Sequence, residues 1–191
     1  KANEWKNPEI PSDIVKSKPY NLTEHQVSDL DRSNWVVMPE EYTNGQIILV
    51  NPARLVYCPA LERAAKELGL KVKNTSKDSL EREFVGDLDW FNFLKLNLLL
   101  GNQTPSVEEF NDFGRLLYQG MQGKVKVYNE SGKKIDPKLL KQYFSDIYEV
   151  KSPWRAEYFD ADFKIKDKKL HINSAHVYEN GELVPKISEV L

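Results

Sequence analysis

The most apolar stretch of the chain runs from Asp87 to Leu100, where nine of 14 residues are hydrophobic. These residues fall on two neighbouring stripes at helical spacing, so a helix here would be buried around most of its circumference. Asp87 is a candidate N-cap, and Gly101 is a candidate terminator just beyond the last turn. The pattern therefore predicts a central buried helix.

Three further segments combine helical spacing with end signals. Pro59 and Gly69 bracket the first segment, and Thr104 and Gly120 bracket the second. The third opens at Asp136, directly before a proline. Because only a short connection separates the central helix from the second segment, we expect these two helices to form an antiparallel pair.

Strand spacing marks the first half of the chain at residues 35–38 and 46–50, on either side of Asn44-Gly45. Asn-Gly is a strong hairpin signal, although Pro39 should end the first strand early and lengthen the loop. We therefore expect an N-terminal β-hairpin region.

Two connecting segments have weaker patterns. Residues 124–135 alternate around a polar turn and predict a small hairpin that faces solvent. Residues 74–79 are polar and predict a linker, and Ser79 with Glu83 could open a brief helical turn before the central helix.

The C-terminal part of the chain predicts a three-stranded antiparallel meander. Two-residue turns at Asp167-Lys168 and Asn180-Gly181 would place Ile165 opposite Leu170 and Tyr178 opposite Leu183. One face would then carry Phe159, Ala161, Phe163, Ile165, Leu170, Ile172, Ser174 and His176, and the other Tyr158, Asp160, Asp162, Lys164, His171 and Asn173. The predicted fold is α+β: a central buried helix with antiparallel helix partners, an N-terminal β-hairpin region and this meander.

The first 19 residues contain three prolines and little periodicity. They predict an extended N-terminal arm, residues 1–19, followed by a single α+β domain, residues 20–191.

Composition narrows the class of protein. The chain is 40% hydrophobic and 11% aromatic, which indicates a folded protein, and its net charge of -2 gives no pull towards nucleic acid. No apolar run is long enough to span a membrane, so a membrane association is not expected.

The single cysteine, Cys58, excludes an intrachain disulfide and favours a cytoplasmic over a secreted location. Possible partners are another protein or a second copy of the chain.

The polar face of the meander is the main candidate for chemistry. Asp160 and Asp162 could hold Mg²⁺ or Mn²⁺, with Lys164 and His171 stabilising charge or moving a proton. This set would suit a metal-dependent nuclease or another hydrolase. However, Asp-x-Lys also occurs at Asp136, and a solvated sheet face explains such acids without any function.

Other candidates are weaker. Trp154 and Arg155 could form a binding spot between the last helix and the meander, or a structural plug. His171 and His176 are five apart on a strand and should point to opposite faces, which disfavours a shared metal. Cys58 precedes a helix but has apolar neighbours, which favours an inert thiol. We therefore expect a non-catalytic binding or assembly module without a cofactor, and a metal-dependent hydrolase as the alternative.

Overall fold

The computed structural model describes residues 32–43, 45–53, 55–77, 83–86, 88–149 and 158–190. The predicted arm at residues 1–19 and the pair Trp154–Arg155 lie outside the described residues. No helix within these ranges is both long and apolar enough to cross a membrane.

The described residues form an α+β fold, as predicted. The helices are α1 (Pro59–Glu67), α2 (Trp90–Leu99), α3 (Val107–Met121) and α4 (Pro137–Tyr148), and a short 3-10 helix spans Glu40–Tyr42. The strands are β1 (Val36–Met38), β2 (Ile48–Val50), β3 (Lys73–Lys77), β4 (Glu83–Gly86), β5 (Asp162–Lys166), β6 (Lys169–Glu179) and β7 (Glu182–Val190). An N-terminal antiparallel pair, β1–β2, and a C-terminal antiparallel sheet in the order β5-β6-β7 confirm two of the predicted sheets.

The N-terminal pair aligns Val36 with Val50. Pro39 follows β1 directly, and the connection contains the 3-10 helix, which confirms the prediction of a long loop. β1 also pairs on its other side, where the Val37 N–H donates to the Tyr128 carbonyl at 2.9 Å.

The predicted hairpin at residues 124–135 was confirmed by its backbone pairing, but its inward-facing side chains, Val127 and Ile135, are buried and do not face solvent. Val127 is 2% exposed, and its carbonyl accepts a hydrogen bond from the Ile135 N–H at 2.9 Å. The free edge of β1 supplies backbone partners for this segment, and its inward-facing side chains join the core.

The prediction of a linker at residues 74–79 was wrong for residues 74–77, which belong to β3, and the predicted helical turn opens at Ser79, which lies outside the described residues. β3 pairs antiparallel with β4, aligning Lys73 with Gly86 and Lys77 with Glu83. The sequence of β3 is Lys-Asn-Thr-Ser-Lys, which has no apolar alternation for a pattern to detect. Backbone pairing with β4 forms this strand although its sequence lacks an alternating apolar pattern.

Two helix starts were predicted too early. The N-cap of α2 is Asp89, whose Oδ1 accepts from the Asn92 N–H at 2.8 Å. The N-cap of α3 is Ser106 and not Thr104, because Ser106 and Glu109 form a reciprocal capping box. Glutamate three residues after serine is what this motif requires. The predicted starts of α1 at Pro59 and of α4 after Asp136 were confirmed.

The buried hydrophobic residues form two clusters. One joins β1, α3, α4 and Val127, with Leu117 and Tyr143 almost fully buried. The other joins α1, the C-terminal half of α2 and Val85. α3 packs against α4, whereas α2 packs against α1 and β6. On α2 itself Leu94 is 1% exposed but Phe91 is 56% exposed, so the burial of this helix is not continuous around its circumference.

Gly120 lies where α3 meets its neighbours most closely. A Cβ atom at this position would lie 2.6 Å from Val127 Cγ2 and 2.7 Å from Leu140 Cδ1, and both residues are buried. Gly120→Ala should therefore destabilise the protein by about 1–2 kcal/mol, because overpacking of about 1–3 kcal/mol exceeds the helix-propensity gain of at most about 1 kcal/mol. Urea denaturation measures this difference. An unchanged or increased stability would show that this contact can relax freely.

Candidate functional site

The C-terminal sheet has the register that its turns predict. Ile165 lies opposite Leu170, and Tyr178 lies opposite Leu183. The turn residues Asp167, Lys168, Asn180 and Gly181 all have φ between 52° and 85°. Two successive residues with positive φ are the geometry of the tight turn that matches the twist of an antiparallel pair. Both turns are therefore fixed locally, and they set which side chains share a face.

The outer half of the apolar face of this sheet is exposed. Phe163 is 59% exposed, Ile165 80%, Leu170 42% and Ile187 46%. The register places all four on the same side of the sheet, since Phe163 is paired with Ile172, and Ile187 with Ser174. We refer to Phe163, Ile165, Leu170 and Ile187 as the apolar patch.

The inner half of the same face is covered by α2. The His176 ring meets the Trp90 ring edge to face at 5.4 Å between centroids, and Lys95 Nζ lies 5.9 Å from the Tyr178 ring. α2 has ten residues and β6 has 11, so the helix extends ~15 Å and the strand ~36 Å. The helix is too short to cover the whole strand, and the apolar patch is the part that remains.

Asp160 does not lie on the outer polar face as predicted. The pairing of β5 with β6 ends at Asp162 and Asn173, so the strand alternation does not extend back to residue 160. Asp160 turns to His176 instead: Oδ2 accepts from the His176 backbone N–H at 2.9 Å, and Oδ1 contacts the ring Nδ1. The carboxylate thus partners β6 beyond the end of β5, at a histidine that is 6% exposed.

Hydrogen bonds to neighbouring elements hold residues 158–160 in place. The Trp90 indole N–H donates to the Phe159 carbonyl at 2.7 Å, and the Asp160 N–H donates to the Pro105 carbonyl at 3.1 Å. The Tyr158 hydroxyl donates to the Leu88 carbonyl at 2.7 Å. The chain before β5 is therefore tied to the starts of both α2 and α3, and this fixes the position of Asp160.

The backbone of β6 is strained next to this contact. Ala175 has φ of 51°, a left-handed conformation that is uncommon for a residue with a Cβ atom. The neighbouring His176 lies opposite Pro185, which has no N–H to donate across the ladder. Local strain of this kind persists only where the surrounding structure holds it.

The acids proposed for metal binding lie in different environments. Asp162 forms an ion pair with Lys164 at 3.0 Å, and Lys164 lies opposite His171 across the strand pair. These three share the outer face, whereas Asp160 is engaged with His176. Within the described part of the chain, no three His, Cys, Asp or Glu side chains are grouped closely enough to hold a metal ion.

A cleft of about 420 Å³ lies between β6, α2 and the first turns of α3. Its lining includes Leu94, Leu98, Gln103, Thr104, Ser106, Glu108, Glu109, Asp112, Asp160, Ser174, His176, Lys186 and Ile187. Thr104 is 8% exposed, and its hydroxyl has no hydrogen-bond partner among the described residues. A buried hydroxyl without a partner is unusual in a folded protein. Sequence patterns did not reveal this cleft, because they assigned Thr104, one of its lining residues, the role of a helix cap.

Tyr42 lines the rim of the cleft. Burial raises the pKa of its phenol, the Arg115 guanidinium lowers it, and the carboxylates of Glu41 and Asp112 raise it. The Arg115 guanidinium carbon lies 4.8 Å from the centre of the ring, and the Tyr42 hydroxyl donates to Gln119. A tyrosine phenol is already neutral at physiological pH, and the raised pKa of Tyr42 extends its neutral, hydrogen-bond-donating form to more alkaline pH.

Cys58 is partly exposed and is the residue before α1, with no hydrogen bond from its side chain to the helix N-terminus.

No family model matches the chain, and neither the curated proteins nor the solved structures include one that is significantly similar to it.

Proposed function

We propose that the chain is a non-catalytic binding module and that a partner protein docks on the apolar patch. The observation that carries this proposal is the exposure of four large apolar side chains on one sheet face, with Ile165 at 80%. Single exposed hydrophobic residues are ordinary, but a contiguous exposed group on one rigid element marks interaction surfaces. The locally fixed turns make this surface rigid before binding, which reduces the entropy that binding costs.

The charge around the patch favours a partner with acidic groups. Residues 162–170 carry Lys164, Lys166, Lys168 and Lys169 against two aspartates. By strand alternation Lys164, Lys166 and Lys169 project from the opposite face, so they border the apolar patch at the edge and tip of the hairpin. Lysines on an edge strand oppose pairing with another strand edge. A second copy of the chain would also bring its own lysines to the contact. We therefore propose a different protein whose docking surface combines apolar and acidic side chains.

The same geometry supports this proposal over a metal-dependent hydrolase. Both carboxylate oxygens of Asp160 are engaged with His176, and Asp162 is paired with Lys164. A Mg²⁺ site built from these acids would first have to break those contacts.

We also propose that α2 is the structural centre of the module. Leu94, Leu96 and Leu98 are buried, and the helix packs against both α1 and β6. A rigid helix beneath the inner half of the sheet would hold the outer half in one orientation for docking.

The binding surface can be tested by selecting peptides from a random displayed library on the immobilised native protein. We expect the selected sequences to combine apolar residues with aspartate and glutamate. The double variant F163S/I165S should lose about 1.4 kcal/mol or more of affinity for them, a tenfold change, because two exposed apolar anchors are removed. Fluorescence anisotropy of a labelled selected peptide measures the affinity.

Phe91→Ser is the matched control, since Phe91 is similarly exposed at 56% but lies on α2. This variant should bind the peptide as the native chain does. Equal losses in both variants, or selected peptides without an acidic bias, would contradict the proposed partner. Concentration-dependent dimerisation in analytical ultracentrifugation that F163S/I165S abolishes would show that the patch binds a second copy instead.

A further inference from the structure

We propose that the cleft between β6, α2 and α3 binds a small neutral phenol, whose hydroxyl donates to Nε2 of His176 and whose ring lies against α2. This site does not depend on the proposed docking function. The cleft volume of about 420 Å³ lies within the range of small-molecule sites. A phenol combines an apolar body with a single strong hydrogen-bond donor, and both features fit the lining.

His176 is the polar group that points to a ligand. Its side chain is 3% exposed, and the residue lines the cleft. Nδ1 contacts Oδ1 of Asp160, whereas Nε2 has no hydrogen-bond partner among the described residues. The fully buried side-chain nitrogen and oxygen atoms that lack a partner in this part of the chain are Arg32 Nε and Thr104 Oγ1. Nε2 of His176 is not one of them, so it keeps accessible surface, and that surface opens to the cleft.

Asp160 determines what Nε2 can do. A carboxylate accepts hydrogen bonds and does not donate them, so Nδ1 of the neutral imidazole carries the proton and Nε2 is left as an acceptor. Asp160 is itself held in place, because its N–H donates to the Pro105 carbonyl at 3.1 Å. The Trp90 ring, edge to face with the imidazole at 5.4 Å, limits rotation of the imidazole. A fixed acceptor at the wall of a cleft favours a ligand with a hydroxyl donor.

The apolar part of the cleft is supplied by α2 and the sheet. Leu94 is 1% exposed and Leu98 is 4% exposed, and both line the cleft. Val177 and Ile187 add apolar surface from β6 and β7. These side chains form a hydrophobic wall, which favours a ligand whose body is a hydrocarbon ring.

The charges of the lining exclude an anionic ligand. Its one lysine, Lys186, is already paired with Glu179 at 2.8 Å. The other charged residues of the lining are the acids Glu108, Glu109, Asp112 and Asp160. A carboxylate or phosphate would be repelled by these groups, and an ammonium would lose its hydration against the leucines. A neutral phenol avoids both costs and still supplies the donor that Nε2 lacks.

p-Cresol is a suitable probe. 4-Methylanisole is the matched control, because a methyl group replaces the hydroxyl proton, and 4-methylbenzoate is the anionic control. In titrations followed by proton–nitrogen NMR, p-cresol should shift the amides of Leu98 and His176 in a saturable manner. 4-Methylanisole should bind about tenfold more weakly, because it leaves Nε2 without a donor. 4-Methylbenzoate should produce no saturable shift at these amides.

The imidazole nitrogens of the native chain report the proposed contact directly. Long-range proton–nitrogen spectra should show Nδ1 of His176 protonated and Nε2 unprotonated. p-Cresol should move the Nε2 resonance upfield as this atom accepts the hydrogen bond, whereas 4-methylanisole should leave the resonance in place. An Nε2 that p-cresol does not move would overturn the proposal, and this measurement needs no substitution.

His176→Phe removes the acceptor and keeps an aromatic ring at the same position, so it should abolish saturable binding of p-cresol. His171→Phe is the matched control, because His171 also lies on β6 but outside the cleft lining, and this variant should bind as the native chain does. Circular dichroism checks that both variants are folded. If His176→Phe does not fold, the nitrogen spectra of the native chain decide.

Binding of p-cresol that exceeds that of 4-methylanisole and moves the Nε2 resonance would support the site. Equal binding of p-cresol and 4-methylanisole would show only a hydrophobic cleft and would overturn the proposal. So would equal binding to the folded His176→Phe and His171→Phe variants, or no saturable shift with any probe.

Discussion

Replacing Leu94 by alanine should lower the free energy of unfolding by about 2–5 kcal/mol. Leu94 is 1% exposed on α2, between the cleft and the body of the protein. Removing its isobutyl group loses hydrophobic transfer energy and leaves a cavity that rigid neighbours cannot fill. Urea denaturation at 25 °C, followed by tryptophan fluorescence, measures the difference.

Leu170→Ala is the matched control, because the same atoms are removed at a position that is 42% exposed in the apolar patch. Its cost should be well below that of Leu94→Ala. A loss of less than about 1 kcal/mol for Leu94→Ala would show that α2 is not the structural centre of the chain.

Asp160→Ala should cost about 2–4 kcal/mol, an effect of similar size from a different cause. The carboxylate accepts the backbone N–H of His176 at 2.9 Å and also contacts its ring. Without it, a buried backbone donor and a buried imidazole lose their partner, and both must be desolvated without compensation. Thermal and urea denaturation should both detect the loss.

Asp162→Ala provides the comparison two residues away. Asp162 is 18% exposed and is paired with Lys164, which is 64% exposed, so this substitution should change stability by no more than about 1 kcal/mol. Equal effects of the two substitutions would contradict a structural role for Asp160. If Mg²⁺ raised the melting temperature of the native chain but not of Asp160→Ala, the hydrolase alternative would replace the binding module.

Local signals predicted the C-terminal sheet well because two-residue turns leave no freedom of register. Asp167-Lys168 and Asn180-Gly181 each connect directly paired strands, so every pair between Ile165 and Leu183 follows from the turn positions. The starts of α1 and α4 were also predictable, because a proline occupies the first helical position in both.

Elements held together by tertiary contacts were not predictable in this way. β3 forms because β4 pairs with its backbone, and its side chains carry no signal. Val127 and Ile135 in the hairpin at residues 124–135 are buried because the hairpin pairs with the edge of β1, which depends on the arrangement of the whole fold.

The C-terminal sheet surface and Asp160 show the same difference between what local sequence signals predict and what tertiary contacts decide. The sequence places Phe163 and Ile165 on one face, but their exposure follows from the length of α2 relative to β6, which no local pattern contains. Strand alternation would place Asp160 on the outer face only if β5 included this residue, but β5 begins at Asp162. Its contact with His176, 16 residues away, is therefore a consequence of where the strand ends.

The most direct test of the proposed docking surface is an NMR titration of the isotope-labelled chain with a peptide selected on the native protein. Binding at the apolar patch predicts that the largest shifts fall on Phe163, Ile165, Leu170 and Ile187 and weaken as salt is raised, because screening reduces the contribution of the lysines. Shifts that centre on the cleft or on Phe91, while the apolar patch stays unperturbed, would contradict the proposal.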